Sequence, residues 1–220
     1  MNQKSLAHLI DHTVLGAGAT AKDVEEACRN AVEWGCAAVC VNPARVPRAA
    51  ELLAGSELAV CSTVAFPLGA VDPVEKAWSA SNAVERGASE VDVVVNLGAI
   101  RDGDWEVVRS EIDAVRAATE DRVVKLIVES AALDTEDLRR VSQMAADGGI
   151  DFVKTSTGYS EFGGASIESV RIITEAVQGH AKVKASGGIS SAQFALDLVS
   201  SGASRLGISR TADVLAEVPE

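Results

Sequence analysis

Chemistry in this chain is most legible in its lysines. There are seven, and Lys125, Lys154, Lys182 and Lys184 lie in or beside short β-branched runs of its second half. Lysine is depleted in strands and rarely buried without a partner, so its presence there needs an account. Lys154 stands in DFVKTSTG and Lys184 in KVKASGG, two runs that end in small polar residues and glycine, as strands do on leaving a sheet. Two ammonium groups ~4 Å apart repel by about 4 kcal/mol at an effective dielectric of 20. That is about 3 pKa units, enough to bring one lysine from ~10.4 to ~7. A neutral amine attacks a carbonyl and an ammonium does not, so a lysine pair is one way to build a Schiff-base nucleophile. The competing reading is that each lysine pairs with a core carboxylate and only holds the scaffold together. Lys182 falls nearer its strand's start and reads as structural or solvent-facing. Lys125, in VVKLIVES, points inward with Ile127 and Glu129 and reads as one half of a supporting ion pair.

Imine chemistry also needs a group that moves protons. Asp92, in EVDVVVN, is an acid inside an apolar run, and alternation puts Asp92, Val94 and Asn96 on one face. Burying it costs several kcal/mol unless a cation such as Lys125 or Lys154 is near. It reads as a proton-transfer group, with a structural counter-ion as the alternative. Gly158, the pair Gly187-Gly188 and Gly207 follow or occupy the last three runs and suggest a phosphate cradle of backbone amides. Other patterns are weaker. Gly16-Ala17-Gly18-Ala19-Thr20-Ala21 fits a dinucleotide loop, but the next run ends Cys40-Val41-Asn42-Pro43 without the acid that such a site wants. His8 and His12 flank a strand, where their spacing does not converge on a metal. Cys40 and Cys61 could approach each other, and Cys61 reads as core.

These residues need elements to hold them. Eight runs recur: Leu9–Val14, Ala37–Asn42, Leu58–Phe66, Val91–Leu97, Val123–Glu129, Phe152–Thr157, Lys182–Ala185 and Arg205–Ser209. Helical patterns alternate with them. Thr20 can N-cap the first, with Asp23 as capping-box partner and Gly35 as its stop. Pro73 sits in the first turn of another, and Asp104–Thr119, Thr135–Ala146, Ser166–Val177 and Ser191–Ser201 follow, with shorter helices at Pro47–Leu53 and Thr211–Val218. No linker or low-complexity run interrupts the series. Eight strand–helix units in 220 residues predict an α/β fold of one domain over 1–220, a (β/α)8 TIM barrel. Its chemistry then belongs at the C-terminal ends of the strands.

Composition narrows the function classes. Hydrophobic residues make up 47% and charged ones 24%, an ordinary globular balance, while eight aromatics leave the core to Val, Ile, Leu and Ala. A net charge of −12 disfavours nucleic acid and anionic membranes as partners. The longest charge-free run, Leu58–Val71, has 14 residues and contains Pro67, short of the ~20 that span a bilayer. The N-terminus lacks the apolar core of a signal peptide. Four cysteines without a C-x-x-C pair read as reduced thiols in the cytoplasm.

Together these motifs resemble the deoxyribose-phosphate aldolase family, class I aldolases on a TIM barrel. The likeness runs nearly end to end: Asp11-His12-Thr13, Cys40-Val41-Asn42-Pro43, Thr63 through Gly69, Glu90-Val91-Asp92, Lys125 through Glu129, Phe152 through Gly158, Lys184 through Ile189 and Gly202 through Gly207. The resemblance implies that Lys154 forms the Schiff base, that Lys184 lowers its pKa and that Asp92 relays protons. It places Asp11, Thr13, Cys40, Lys125 and Thr155 at the substrate, and Gly158, Gly187, Gly188, Gly207 and Ser209 at its phosphate. The implied reaction is reversible cleavage of 2-deoxy-D-ribose 5-phosphate to D-glyceraldehyde 3-phosphate and acetaldehyde, without metal or cofactor, in a cytoplasmic homodimer. Two positions depart from the family pattern. Ser190 stands where an arginine is usual, and Arg210 where a small residue is usual, so Arg210 is expected to supply the missing cation. The sequence ends soon after the last predicted helix, so a C-terminal tail able to reach the site is expected to be short or absent. A Schiff-base aldolase for another phosphosugar, and a non-catalytic sugar-phosphate-binding barrel, are the competing expectations.

Overall fold

Most helices of the molecule begin where a short polar side chain can satisfy the first free amides. In the computed structural model, which describes residues 1–219, the side chains of Thr20, Asp72, Asp104, Asp134, Ser166 and Ser191 each accept from the backbone N–H three residues on. Thr20 and Asp23 form the expected reciprocal capping box, and Gly35 ends that helix in the left-handed conformation at φ 70°. The helices are α1 (Gln3–Ala7), α2 (Ala21–Trp34), α3 (Val46–Leu52), α4 (Pro73–Glu85), α5 (Leu97–Arg101), α6 (Trp105–Thr119), α7 (Thr135–Asp147), α8 (Ile167–Val177), α9 (Ala192–Ser200) and α10 (Thr211–Ala216). Short 3-10 turns occupy Pro43–Arg45 and Ser130–Ala132.

Between them run β1 (Ile10–Val14), β2 (Ala38–Val41), β3 (Ala59–Val64), β4 (Glu90–Val94), β5 (Val123–Ile127), β6 (Phe152–Lys154), β7 (Lys182–Ser186) and β8 (Arg205–Ile208). They pair in parallel and in sequence order, and β8 closes on β1. This is a TIM barrel, as the alternating pattern predicts. Side chains alternate across each strand. Val39, Val91, Val93, Val124, Leu126, Val183 and Ala185 face outward into one continuous core with the helices. The barrel interior is divided. A small apolar cluster of Leu15, Ala38, Cys40 and Cys61 fills one side. Charged side chains fill the other.

The structure shortens several strands relative to the sequence pattern. β6 stops at Lys154, because Thr157 gives its N–H to the Glu129 carboxylate instead of a ladder carbonyl. β4 stops at Val94, because Asn96 turns to cap α5, its side chain accepting from Ala99 N–H at 3.1 Å. The helices α1 and α5 have no counterpart in the sequence reading. At five residues each, they are too short to show a period.

Candidate active site

Strand register brings the charged residues to one place. Asp92 pairs with Lys125, Lys154 with Lys184, and Lys184 with Arg205 across successive strands. Inside, the Asp92 carboxylate is the hub. Its Oδ2 accepts from Lys154 Nζ and from Lys184 Nζ, each at 2.7 Å. Its Oδ1 accepts from Lys125 Nζ at 2.9 Å and from Cys61 Sγ at 3.1 Å. Asp11 holds Lys184 through Oδ2 and Arg205 Nη1 through Oδ1 at 2.7 Å. Glu90 meets Lys125 at 2.5 Å and Arg205 at 3.3 Å. Asp11, Asp92, Lys125 and Lys184 have no solvent exposure.

Burial alone would neutralise such groups, but here the counter-charges win. Burial raises the Asp92 carboxyl, yet Lys125, Lys154 and Lys184 outweigh it and hold it well below the usual carboxylate range. Burial likewise opposes the charge on Lys184, and Asp11 and Asp92 overcome it to hold the ammonium above the usual lysine range. The expected repulsion between Lys154 and Lys184 is therefore only part of the balance. Both ammonium groups lie against one carboxylate oxygen that screens them from each other.

A cavity of about 400 Å³ opens over this hub at the C-terminal ends of β1, β6, β7 and β8. Lys154 lines it at 3% exposure and is the cluster's contact with the cavity. Thr13 lines it too, its Oγ1 held by the Asp11 carbonyl at 2.9 Å. Gly158, Gly187, Gly188, Gly207, Ser209 and Arg210 line the same cavity. Gly187 and Gly188 sit at φ 90° and 78°, where a side chain would strain the turn. A Cβ on Gly207 would come within 2.9 Å of Ser186 Cβ. Arg210 is exposed and bonded to Asp213 at 2.8 Å, and Ser190 stands on the cavity wall nearby.

Asp11, Lys125, Cys40 and Thr155 lie beneath or beside the cavity wall. Asp11 and Lys125 belong to the ion cluster. Cys40 is buried next to its register partner Cys61, which hydrogen-bonds it and lowers its thiol's pKa. Thr155 is buried and ties β6 to β7, its Oγ1 donating to Ser186 O at 3.2 Å and accepting from Ser186 N at 3.0 Å. Lys182 is exposed at the strand start, 5.6 Å from the Phe152 ring. Two members of the cluster were not singled out from sequence, Glu90 and Arg205, while Cys61, which reads as core, also touches Asp92 and Lys125. Glu90 shares parity with Asp92, so period-two alternation was the available signal.

Among the described residues, two sets of potential metal donors occur, Cys40–Cys61–Asp92 and Asp11–Cys61–Glu90, with ligand atoms within 4.8 Å of one another. Lys125 Nζ already lies against both, 3.3 Å from Cys61 Sγ and 2.5 Å from Glu90. An ammonium thus stands where a metal cation would bind, and these residues do not fit a metal.

A closed parallel barrel with a buried lysine at its cavity floor, paired to a carboxylate, is the arrangement of a carbonyl-attacking aldolase. The sequence matches the DeoC/LacD family of aldolases over residues 5–209, and the chain belongs to that family. It is 47% identical to the deoxyribose-phosphate aldolase of Kocuria rhizophila, over 98% of this chain and 97% of that one. It is 44% identical to the enzyme of the same name from Carboxydothermus hydrogenoformans, over 98% and 96%. Among solved structures it superimposes on the tetrameric deoxyribose phosphate aldolase of Aeropyrum pernix with a TM-score of 0.87 and 30% identity, covering 97% of this chain and 91% of that one.

Proposed function

We propose that this barrel cleaves 2-deoxy-D-ribose 5-phosphate reversibly to D-glyceraldehyde 3-phosphate and acetaldehyde through a Schiff base on Lys154. The observation that carries the assignment of Lys154 is its placement: it alone joins the ion cluster to the cavity while its Nζ lies 2.7 Å from Asp92. The cluster sets Asp11, Glu90 and Asp92 against Lys125, Lys184, Arg205 and Lys154. Lys154 is the cation in excess, and its loss of a proton leaves the buried charges balanced.

The free amine adds to the sugar's C1 carbonyl, and Asp92 is placed to move the protons as the carbinolamine loses water to the imine. The imine then draws the electrons of the C2–C3 bond as it breaks. The C3 hydroxyl gives up its proton and becomes the aldehyde of the three-carbon phosphate. The enamine left on Lys154 takes a proton at carbon, and water releases acetaldehyde. Lys184, locked between Asp11 and Asp92, keeps a positive charge beside the reacting nitrogen. The glycine turns after β6 and β7, with Ser209 and Arg210, hold the phosphate.

Acetaldehyde and borohydride are expected to leave a reduced two-carbon adduct on Lys154, located by peptide mass spectrometry. An adduct on another lysine alone overturns the assignment. Activity is expected to survive a chelator.

The assembly we favour is a homodimer. Val74 and Trp78 stand 77% and 67% exposed on α4, an apolar patch suited to self-association. Sedimentation giving only monomer at micromolar concentration would refute it. A cytoplasmic location fits the four buried free thiols, and no helix among the described residues is long and apolar enough to cross a membrane.

A further inference from the structure

The ion cluster does not stop at the active site. From Lys154 it passes through Asp92 and Lys184 to Asp11, and from there to Arg205 at the opposite end of the barrel. Arg205 borders a second cavity of about 560 Å³ at the N-terminal ends of the strands, together with Glu90, Phe152 and Lys182. Its guanidinium stacks over the Phe152 ring at 5.3 Å and bonds both Asp11 and Glu90 through Nη1. Arg205 therefore touches neither the upper cavity nor Lys154.

We propose that Arg205 is a positioning residue for the reaction: it is the third inner cation that, with Lys125 and Lys184, balances Asp11, Glu90 and Asp92 and so leaves Lys154 free to be neutral. This rests on Lys154 being the imine-forming residue. Lys154 is faced by Asp92 on β4 and Lys184 on β7, with Lys125 on β5 across the Asp92 carboxylate and the Cys40 thiol on β2 nearby, and Tyr159 and Arg210 line its cavity. Arg205 is faced by Asp11 on β1, Glu90 on β4, and Lys184 and Lys182 on β7. Without Arg205 the three carboxylates have only Lys125, Lys184 and Lys154 to balance them. Freeing the amine then strands a buried negative charge. A unit charge roughly 10 Å away at an effective dielectric of 20 changes a protonation equilibrium about tenfold.

The test is the pH profile of kcat/KM for Arg205→Gln, Arg205→Lys and Glu90→Gln, read beside borohydride trapping with acetaldehyde at each pH. Arg205→Gln is expected to move the acid limb up by about one pH unit, costing about tenfold at neutral pH with recovery in base. Arg205→Lys keeps the charge and is expected to keep the wild-type limb. Glu90→Gln removes a carboxylate and is expected to move the limb the opposite way. A mere loss of packing lowers activity without moving limbs in opposite directions. Unmoved limbs in both neutral variants, or limbs moved the same way, overturn the proposal. Absence of the Lys154 adduct in the wild-type enzyme would instead overturn the reading on which it rests.

Discussion

Two groups of buried ion pairs in the molecule behave oppositely. Between α4 and α6, Lys76 bonds Glu111 as an isolated pair, both side chains at most 1% exposed. There burial dominates: it lowers the Lys76 pKa and raises that of Glu111, in spite of their mutual attraction. Inside the barrel Asp11, Asp92, Lys125 and Lys184 are as deeply buried and Arg205 is half-buried, yet Asp11 and Asp92 are held below their ordinary range and Lys125, Lys184 and Arg205 above theirs. The difference lies in the number of partners. One counter-ion does not repay the desolvation of a buried charge, whereas two or three do. The pair is a strut, and the network is a medium that keeps every inner charge fixed.

The sharpest way to break the comparison is to take one lysine from each region. Lys154→Met is expected to lower kcat by about 10⁴-fold or more, since it removes the nucleophile itself. Its thermal midpoint is expected to stay close to the wild type, because removing the surplus cation leaves the cluster balanced. A large loss of stability would show that Lys154 is needed to balance the cluster. Asp92→Asn is expected to cost about 10²- to 10⁴-fold in kcat and to destabilise as well, since it unbalances three ammonium groups at once.

In the helical layer the effect is on stability alone. Lys76→Met leaves Glu111 without its cation and is expected to cost about 3 kcal/mol in urea unfolding. The double variant Lys76→Met/Glu111→Leu is expected to recover most of that loss, although Asn96 N–H then loses the carboxylate it meets at 3.0 Å. Activity of the double variant is expected within about threefold of wild type. A double variant as unstable as the single would mean that the pair stabilises the helices by attraction.

The regions also separate by pH. Asp11 and Asp92 are depressed in the fold, so below about pH 4 the unfolded chain binds more protons and this stabilisation fades as pH falls. Lys125 and Lys184 are raised, so their contribution is full below about pH 10 and is lost as pH rises further. The cluster thus adds a flat term across neutral pH. Burial raises Glu111, so its contribution falls as pH climbs out of the carboxylate range, while Lys76, lowered by burial, acts the other way only toward the lysine range. Urea midpoints of wild type and of the Lys76→Met/Glu111→Leu variant from about pH 4 to 7, below the lysine range, separate the two contributions. The wild type should lose ground to the variant with rising pH, and parallel curves would refute this.

Much of the barrel was legible in sequence, because β-branched runs alternating with capped helices have few other solutions. Lys154, Lys184 and Asp92 were legible as charges where apolar residues belong. What pairs with what was not. Asp11 and Arg205 meet only because β8 closes on β1, a contact between residues 194 apart in sequence. For the same reason the repulsion of two lysines was anticipated without Asp11 and Glu90, which set the actual balance. Lys76 was invisible for another reason: its partner is on a different helix, and no periodicity within one helix reveals it.

The smallest expected effect concerns the rim of the site, where charges are wet and the logic of both buried regions lapses. Arg210 lines the cavity but is 64% exposed and shared with Asp213 at 2.8 Å. An exposed pair of this kind holds weakly, so the guanidinium is free to turn from Asp213 to an incoming phosphate. The amides of the glycine turns remain in Arg210→Ala, and Ser190 adds no charge. The variant is therefore expected to weaken inorganic phosphate binding by about 3- to 10-fold, measured by calorimetry, and to raise KM for the phosphosugar to match, with kcat little changed. Asp213→Ala removes the competitor and is expected to tighten phosphate slightly. Unchanged affinity in Arg210→Ala would assign the phosphate wholly to backbone amides. A fall in kcat equal to the rise in KM would place Arg210 in the chemistry of the fixed cluster instead of at its solvent-screened edge.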